Sequence, residues 1–417
     1  MQLFLSIVGY IAMAIFMYQI FYLIVGLFCK PRVFTKSDKH RFAVLISARN
    51  EESVIAHLIS SIKGQSYPSE LVDIYVVADN CTDQTAEVAR NCGVTVYERF
   101  NKKQVGKGYA LDLLIKNVTE LKGNDYYDGF FVFDADNILE PDFIEQMNKT
   151  FSSGYKIVTS YRNSKNFDTN WITSGYAIWF LREARYMNNS RQILNTSCSV
   201  AGTGFLFHRD MLKDGSWKWH LMSEDTEFTA DTIVNGEKVG YCHAAMLYDE
   251  QPETFKHSWN QRMRWARGSL QVFKHYGWRL FKGIFKNKSK NRFSHFDILI
   301  TVIPMIFLMM AAIVGMFYGI IAAIPHGTQA VIDSVISAGF TLFGFYMTFF
   351  LMGICAVITE WRSINSTKWK KVIYLFTFPV FMLTWIPIGL VALFKKVQWA
   401  PIPHKVGKGI DEIKKQK

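Results

Sequence analysis

Paired cysteines are missing from this chain. Its six cysteines, at positions 29, 81, 92, 198, 242 and 355 of 417 residues, form no Cys-x-x-C pair. That argues against a zinc site and against a structural disulfide framework, and reduced thiols fit a cytosolic compartment. Charge is scarce as well: Asp, Glu, Lys and Arg make up 20% of the residues while 50% are hydrophobic, which excludes a disordered chain. Lysine and arginine are absent before Lys30, and no small-x-small cleavage site follows the first apolar run. A secretory signal peptide would need a charged start and such a site. The run is therefore expected to be an uncleaved anchor.

What the chain does have is long apolar blocks. Residues 3–28 and 372–394 carry no charge; 296–324 and 331–358 carry one acid each, Asp297 and Asp333. About 20 helical residues span the ~30 Å hydrocarbon layer, so each block is long enough to cross. The formal net charge of +12 then acts as an orientation signal. Lys30, Arg32, Lys36, Lys39 and Arg41 follow the first block directly, so the positive-inside rule places 30–295 in the cytosol and the N-terminus outside. The loop 359–371 and the tail 395–417 are also basic, and a single full crossing by 372–394 would separate them. Pro379 and Pro387 bend that block, so a crossing and a re-entrant path both stay open. Segment 260–292 is basic and interleaved with Trp, Phe and Tyr, the pattern of an interfacial helix. Since most of the excess charge flanks apolar blocks, it faces a bilayer, and nucleic acid is not an expected partner.

Between the first two blocks, short apolar runs alternate with helical stretches. FAVLIS (42–47), IYVVA (74–78), 94–97 and GFFVF (129–133) read as strands; 53–63, 84–92 and 109–117 read as helices. Such alternation predicts an α/β domain with a largely parallel sheet. Ligands bind such sheets beyond the carboxyl ends of the strands, where this chain carries polar clusters. Asp134 and Asp136 follow GFFVF; alternate residues of extended chain project to one side, so both carboxylates can reach one site. Carboxylates of this kind suit Mg2+ or Mn2+ together with phosphate. Glu224 and Asp225 open a helix that Ser223 is placed to cap. Gln261 and Arg264 sit three apart and share a helical face, with Trp265 beside them as a stacking surface and arginine as a fork for phosphate.

In this order the residues resemble a membrane-embedded family 2 glycosyltransferase of the cellulose, chitin and hyaluronan synthase type. The matching landmarks are Asp79 after the second strand, Asp134 and Asp136, Gly202-Thr203-Gly204, Glu224-Asp225, and Gln261-Arg262-Met263-Arg264-Trp265. The resemblance implies a Rossmann-like GT-A domain, cytosolic, combined with transmembrane and interfacial α-helices. It divides the chain into an anchor (1–29), a transferase domain (30–250), interfacial helices (251–295), a transmembrane region (296–394) and a basic tail (395–417). It further implies a nucleotide-diphosphate sugar donor, with uridine as the base, and a growing β-linked polysaccharide or a lipid as acceptor. Ala48, Glu51, Asp79, Lys107, Asp134, Asp136, Gln261 and Arg264 would bind donor, with Asp134 and Asp136 also holding the metal. Asp225, next to Glu224, would be the general base; Gly202, Thr203, Gly204 and Trp265 would meet the acceptor. The tail segment 397–405 (VQWAPIPHK) resembles the motif that gates the donor pocket in polymerising relatives, with Ile402 and Pro403 where a threonine is usual. An integral cell-membrane protein is the expected setting.

Overall fold

The computed structural model describes residues 17–286, 291–303, 306–395, 397 and 401–415. The first part of the anchor, 3–16, lies outside the described residues; its remainder is helix α1 (Met17–Phe28).

The soluble middle forms one eight-stranded sheet in the order β3-β2-β1-β4-β7-β6-β8-β5. Its strands are β1 (Phe42–Ala48), β2 (Val72–Asp79), β3 (Thr95–Arg99), β4 (Gly129–Asp134), β5 (Ile138–Leu139), β6 (Ile157–Ser164), β7 (Phe205–His208) and β8 (Val239–Asp249). The interleaved helices are α2 (Ile55–Lys63), α3 (Thr85–Asn91), α4 (Lys107–Lys122) and α5 (Phe143–Ser152). β1 through β4 pair in parallel, as the alternating pattern predicts. β7 enters antiparallel between β4 and β6, and β5 runs antiparallel to β8, so the sheet is mixed. The reason is connectivity. Between β6 and β7 the chain leaves the sheet through α6 (Trp171–Arg182), a π-helical turn (Glu183–Asn188) and α7 (Asn189–Ile193), and it returns from the opposite end. Strands such as FAVLISA and GFFVFD are buried on both faces, packed by α4 and the aromatic cluster around Trp217 and Phe228 on one side and by α2 and α5 on the other.

The second part is helical: α8 (Glu224–Val234), α9 (Phe255–Phe285), α10 (Arg292–Val302), α11 (Ile306–Ala323), α12 (Thr328–Thr359), α13 (Lys368–Leu383), α14 (Trp385–Phe394) and α15 (Ile410–Lys414). Among the described residues the apolar run 296–324 is not one helix. Ile303 is extended (φ −66°, ψ 120°), the conformation required of a residue before proline, here Pro304. This separates α10, whose Ile298 and Val302 pack on α8 and α9, from α11. α12 (32 residues) and the stretch 368–394 (27 residues) are long and apolar enough to cross a membrane. The latter is divided at Thr384 into α13 and α14. α13 packs on α6, and Lys370 Nζ donates to the Asp168 carbonyl; α14 packs on α9, and the tail beyond it rests on the sheet domain. Both ends of 368–394 therefore meet the domain.

Three helices meet at one buried ion pair. Asp297 of α10 is fully buried and accepts from Arg191 of α7 (2.7 and 2.8 Å), from Tyr22 (2.8 Å) and from Tyr18 (2.9 Å) of α1.

Candidate active site

Strand ends supply most of the site. β1 runs into Arg49 and Glu51, β2 ends at Asp79, β4 at Asp134 with Asp136 just beyond, and β8 at Asp249 followed by Glu250. All of them line one cavity of about 950 Å³, which α8 and α9 close from the other side with Glu224, Asp225, Gln261, Arg264 and Trp265.

Asp79 is nearly buried and accepts from Arg99 Nη1 (2.7 Å) and Asn80 Nδ2 (2.9 Å). Burial pushes its carboxyl up, and Arg99 opposes that. Lys107, the first residue of α4, donates to Asp134 and to the Gly202 carbonyl (2.7 Å), tying the Asp-x-Asp turn to the Gly-Thr-Gly loop. Burial disfavours its charge, but Asp134, Glu224 and Asp225 raise it above the ordinary lysine range. The Asp134 amide donates to Thr203 Oγ1 (2.9 Å), and Asp136 Oδ2 accepts from the Glu250 amide (2.8 Å). The Asp134 carboxylate is thus held from the start of α4 and the Asp136 carboxylate from the end of β8.

Asp225 stands in the first turn of α8. A Cβ built on Gly202 would lie 3.6 Å from Asp225 Oδ2, and Gly202 has a φ of +82°, so glycine both permits the turn and leaves room beside the carboxylate. Burial raises Asp225, against the α8 amides, Lys107 and Arg162. Burial together with Asp225 pushes Glu224 up to about 7. The pair titrates as a unit. Ser223 does not cap α8 with its side chain. It sits instead beneath α9, where a Cβ on Gly268 would come within 2.1 Å of Ser223 Oγ. This close approach brings α9 against the start of α8, and Arg264, Trp265 and Asp225 line the same cavity.

On α9, Gln261, Arg264 and Trp265 project into the cavity. Gln261 Oε1 is buried with no hydrogen-bond partner among the described residues. Trp265 meets Tyr176 edge-on (5.8 Å between centroids) and Trp385 face-on (6.4 Å). Arg262 points the other way: it is buried, donates to the Phe381 carbonyl (3.2 Å) and Thr384 Oγ1 (2.7 Å), and lies 4.3 Å over the Phe381 ring. One arginine of the motif faces the cavity and its neighbour locks α9 to the α13–α14 break.

Three candidates from the sequence lie off the cavity wall. Ala48 is buried in the core at the end of β1, where alternation turns it inward; Arg49 and Glu51 line the cavity instead. Thr203 is buried behind Asp134 and donates to Asn137. Gly204 packs against β8: a Cβ there would fall 1.9 Å from Leu247 Cδ2, at a φ of +64°. Both residues shape the loop that presents Gly202.

Arg162, Asp249 and Glu250 escaped the sequence reading. Arg162 of β6 clamps Asp249 through Nε (2.8 Å) and Nη2, and Nη1 reaches the Ala201 carbonyl (2.9 Å). Burial, aided by Asp136 and opposed by Arg162, pushes Asp249 up to about 6. An apolar strand ending in Asp-Glu was the available signal, the same as at GFFVFD. His404 of the tail places Nδ1 2.9 Å from both Glu51 oxygens, and Glu250 accepts from the Lys405 (2.8 Å) and Val406 (3.0 Å) amides. Burial alone would lower His404; Asp136 and Glu51 raise it to about 10. The middle of the gating-like motif, 398–400, lies outside the described residues. Its His404 end closes the cavity beside Glu51.

Acids at strand ends, a helix-borne carboxylate opposite them and a mixed sheet define the GT-A class of α/β transferases. A mannosyltransferase from Pyrobaculum calidifontis, solved in complex with GDP-Man and Mn2+, has this fold: TM-score 0.60 at 16% identity, covering 94% of this chain and 99% of that one. Residues 40–268 match the profile described as glycosyltransferase like family 2, and the chain belongs to that family. Among curated relatives, it is 26% identical over 302 residues to beta-monoglucosyldiacylglycerol synthase of Nostoc, covering 69% of this chain and 60% of the relative. It is 25% identical over 258 residues to poly-beta-1,6-N-acetyl-D-glucosamine synthase of Staphylococcus epidermidis, covering 59% of this chain and 60% of the relative. The alignments thus span about three fifths of those relatives.

Proposed function

We propose that the chain is an inverting, metal-assisted glycosyltransferase. It would move a sugar from a nucleotide-diphosphate donor, with uridine diphosphate as leaving group, onto an acceptor hydroxyl at Asp225. The observation that carries this reading is that Asp79, Asp134, Asp136, Asp225, Gln261, Arg264 and Trp265 share one cavity. Asp79, backed by Arg99, presents an acceptor to the nucleoside. Lys107 and Arg264 place positive charge where the diphosphate departs, which stabilises the charge that develops there. Asp225 takes the proton of the attacking hydroxyl, and a single base on the acceptor side serves a one-step displacement with inversion. An α-linked donor therefore gives a β-linked product.

Among the described residues no three His, Cys, Asp or Glu side chains converge as metal ligands. Two carboxylates, Asp134 and Asp136, are what Mg2+ or Mn2+ needs when phosphate oxygens and water complete its shell. A cation held there would supply Lewis-acid stabilisation of the leaving diphosphate.

The family resemblance and the Trp265 platform support a growing β-linked polysaccharide as acceptor, formed on the cytosolic side of the cell membrane. A second reading, one sugar added to a lipid, is favoured by the apolar wall of the cavity beside Trp265. There Thr301, Ile303, Phe349, Met352, Met382 and Trp385 form the wall. Beyond them Val314, Phe317, Phe340 and Phe343 of α11 and α12 are exposed, so the described helices enclose the cavity only near the domain. The test is to incubate the purified full chain with radiolabelled nucleotide sugars and Mg2+ or Mn2+, then extract and size the products. High-mass product supports the polymer reading, a lipid-extractable monosaccharide overturns it in favour of the lipid reading, and no transfer from any donor overturns both.

A further inference from the structure

A lysine is buried behind the cavity acids. Lys165 directly follows β6, is only 1% exposed, and its Nζ has no hydrogen-bond partner among the described residues. Lysine ordinarily keeps its ammonium in water by stretching its methylene stem along the surface. Here the turn that carries it is pinned by the α12–α13 connection and by α13. Asn163 Nδ2 donates to the Ser363 carbonyl (2.8 Å), Lys370 Nζ donates to the Asp168 carbonyl (2.9 Å), and Phe167 packs edge-on to Tyr374 (5.9 Å). These contacts cover the turn and keep the amine inside.

Inside, it lies among the acids at the end of β8. Ser164 pairs with Asp249 in the parallel register of β6 and β8, and the Lys165 amide donates to the Asp249 carbonyl (2.9 Å). One step further is Glu250, whose own amide donates to Asp136 Oδ2 (2.8 Å). Lys165 is not part of the cavity wall, so it stands behind the site rather than in it. Three of the neighbouring carboxylates have partners of their own. Glu51 has His404, Glu250 has the Lys405 and Val406 amides, and Asp249 has Arg162, Gln251 (3.0 Å) and Asn137 (3.1 Å). Four nearly buried carboxylates, Glu51, Asp136, Asp249 and Glu250, thus share three cations, Arg162, His404 and Lys165. Arg162 and His404 act by contact; Lys165 acts through space. Burial works against its charge, opposed by Asp136 first and then by Glu250, Asp249 and Glu51.

We infer that Lys165 is a positioning residue for the divalent cation: its buried positive charge keeps the acids around Asp136 from holding Mg2+ or Mn2+ firmly until a diphosphate brings further negative charge. The inference rests on the reading of Asp134 and Asp136 as the metal-bearing pair. In an interior of low effective dielectric, a unit charge acts on a dication across many ångströms. Metal and nucleotide then bind as a coupled pair, each raising the affinity of the other by the same factor. The ion enters with the donor and leaves with the nucleoside diphosphate.

Mn2+ binding to the purified full chain is measured by electron paramagnetic resonance, with and without uridine diphosphate, and corrected for Mn2+ held by the nucleotide in solution. Wild type should bind Mn2+ at least ~10-fold more tightly with the nucleotide present. Lys165→Met should bind Mn2+ alone roughly 10- to 100-fold more tightly than wild type, and the nucleotide should then add correspondingly less. Lys165→Arg keeps the charge and should keep the wild-type coupling. Thermal unfolding is followed alongside, and Lys165→Met should melt at or above the wild-type midpoint, because it removes a buried charge that lacks a contact partner. Unchanged or weaker Mn2+ binding by Lys165→Met would overturn the inference. So would a methionine variant that no longer folds, or an arginine variant that behaves like the methionine one. In the wild type alone, Mn2+ affinity indifferent to nucleotide would overturn it without any variant. No Mn2+ binding even with nucleotide would remove the metal-site reading and the inference with it, an outcome distinct from the others because it appears in every variant.

Discussion

Replacing Asp297 by asparagine should loosen the junction of α1, α7 and α10 without touching the cavity acids. The carboxylate is fully buried and receives four hydrogen bonds, two from Arg191 and one each from Tyr18 and Tyr22. Asparagine offers one oxygen and turns an NH2 group toward a guanidinium or a hydroxyl that also donates. Arg191, only 1% exposed, is left charged with no carboxylate in contact. Removing one partner of a buried pair costs about 3–5 kcal/mol. At roughly 2–4 °C per kcal/mol for chains of a few hundred residues, the melting midpoint should fall by roughly 6–20 °C. The assay is thermal unfolding of the detergent-purified chain, followed by intrinsic fluorescence, with size-exclusion profiles before heating. Arg191→Met combined with Asp297→Leu removes both charges and should recover most of the loss, since apolar replacements of a buried pair are often neutral. A midpoint for Asp297→Asn within about 2 °C of wild type, below the smallest shift that one lost kcal/mol implies, would refute the reasoning. So would a double variant no better than the single.

The catalytic pair gives a second expectation. Asp225→Asn should lower kcat by about 10²- to 10⁴-fold while nucleotide binding, measured by calorimetry, persists. Because burial holds the Asp225 carboxyl above the ordinary carboxylate range, turnover should fall on acidification at a pH above that range. Glu224→Gln removes the neighbouring acid, so the acidic limb of the pH–rate profile should move to lower pH; an unmoved limb would count against the coupling. Gly204→Ala, with its Cβ 1.9 Å from Leu247 Cδ2 and φ at +64°, should destabilise by more than the roughly 1–2 kcal/mol of a left-handed residue alone. Denaturant titration of the variant checks it.

Much of the fold was legible because local patterns carry it. FAVLIS anticipated β1 (Phe42–Ala48), and 84–92 anticipated α3 (Thr85–Asn91) to within a residue at either end. The Asp-x-Asp and Gln-x-x-Arg-Trp residues were visible because strand ends and a three-residue helical spacing place chemistry predictably. What local pattern could not show was pairing across distance. The reversed entry of β7 depends on an excursion of the chain through α6 and α7, not on the composition of FLFH. The clamp of Arg162 on Asp249 joins two strands through partners 87 positions apart. The division of 296–324 was written in Pro304, but the length and hydropathy of the run outweighed that one residue. Ser223 had the composition of a cap, yet the contact with Gly268 claimed its side chain.

The contact of His404 with Glu51 also has a temporal side. The two residues are 353 positions apart, and at 5–20 residues per second a ribosome needs roughly 20–70 s to travel between them. The apolar helices α11 to α14 are made in that interval. A nascent chain therefore carries its cavity acids for that time while one wall of the cavity is still unmade. A chain stalled before position 404 would leave Glu51 without His404 and Glu250 without the Lys405 and Val406 amides.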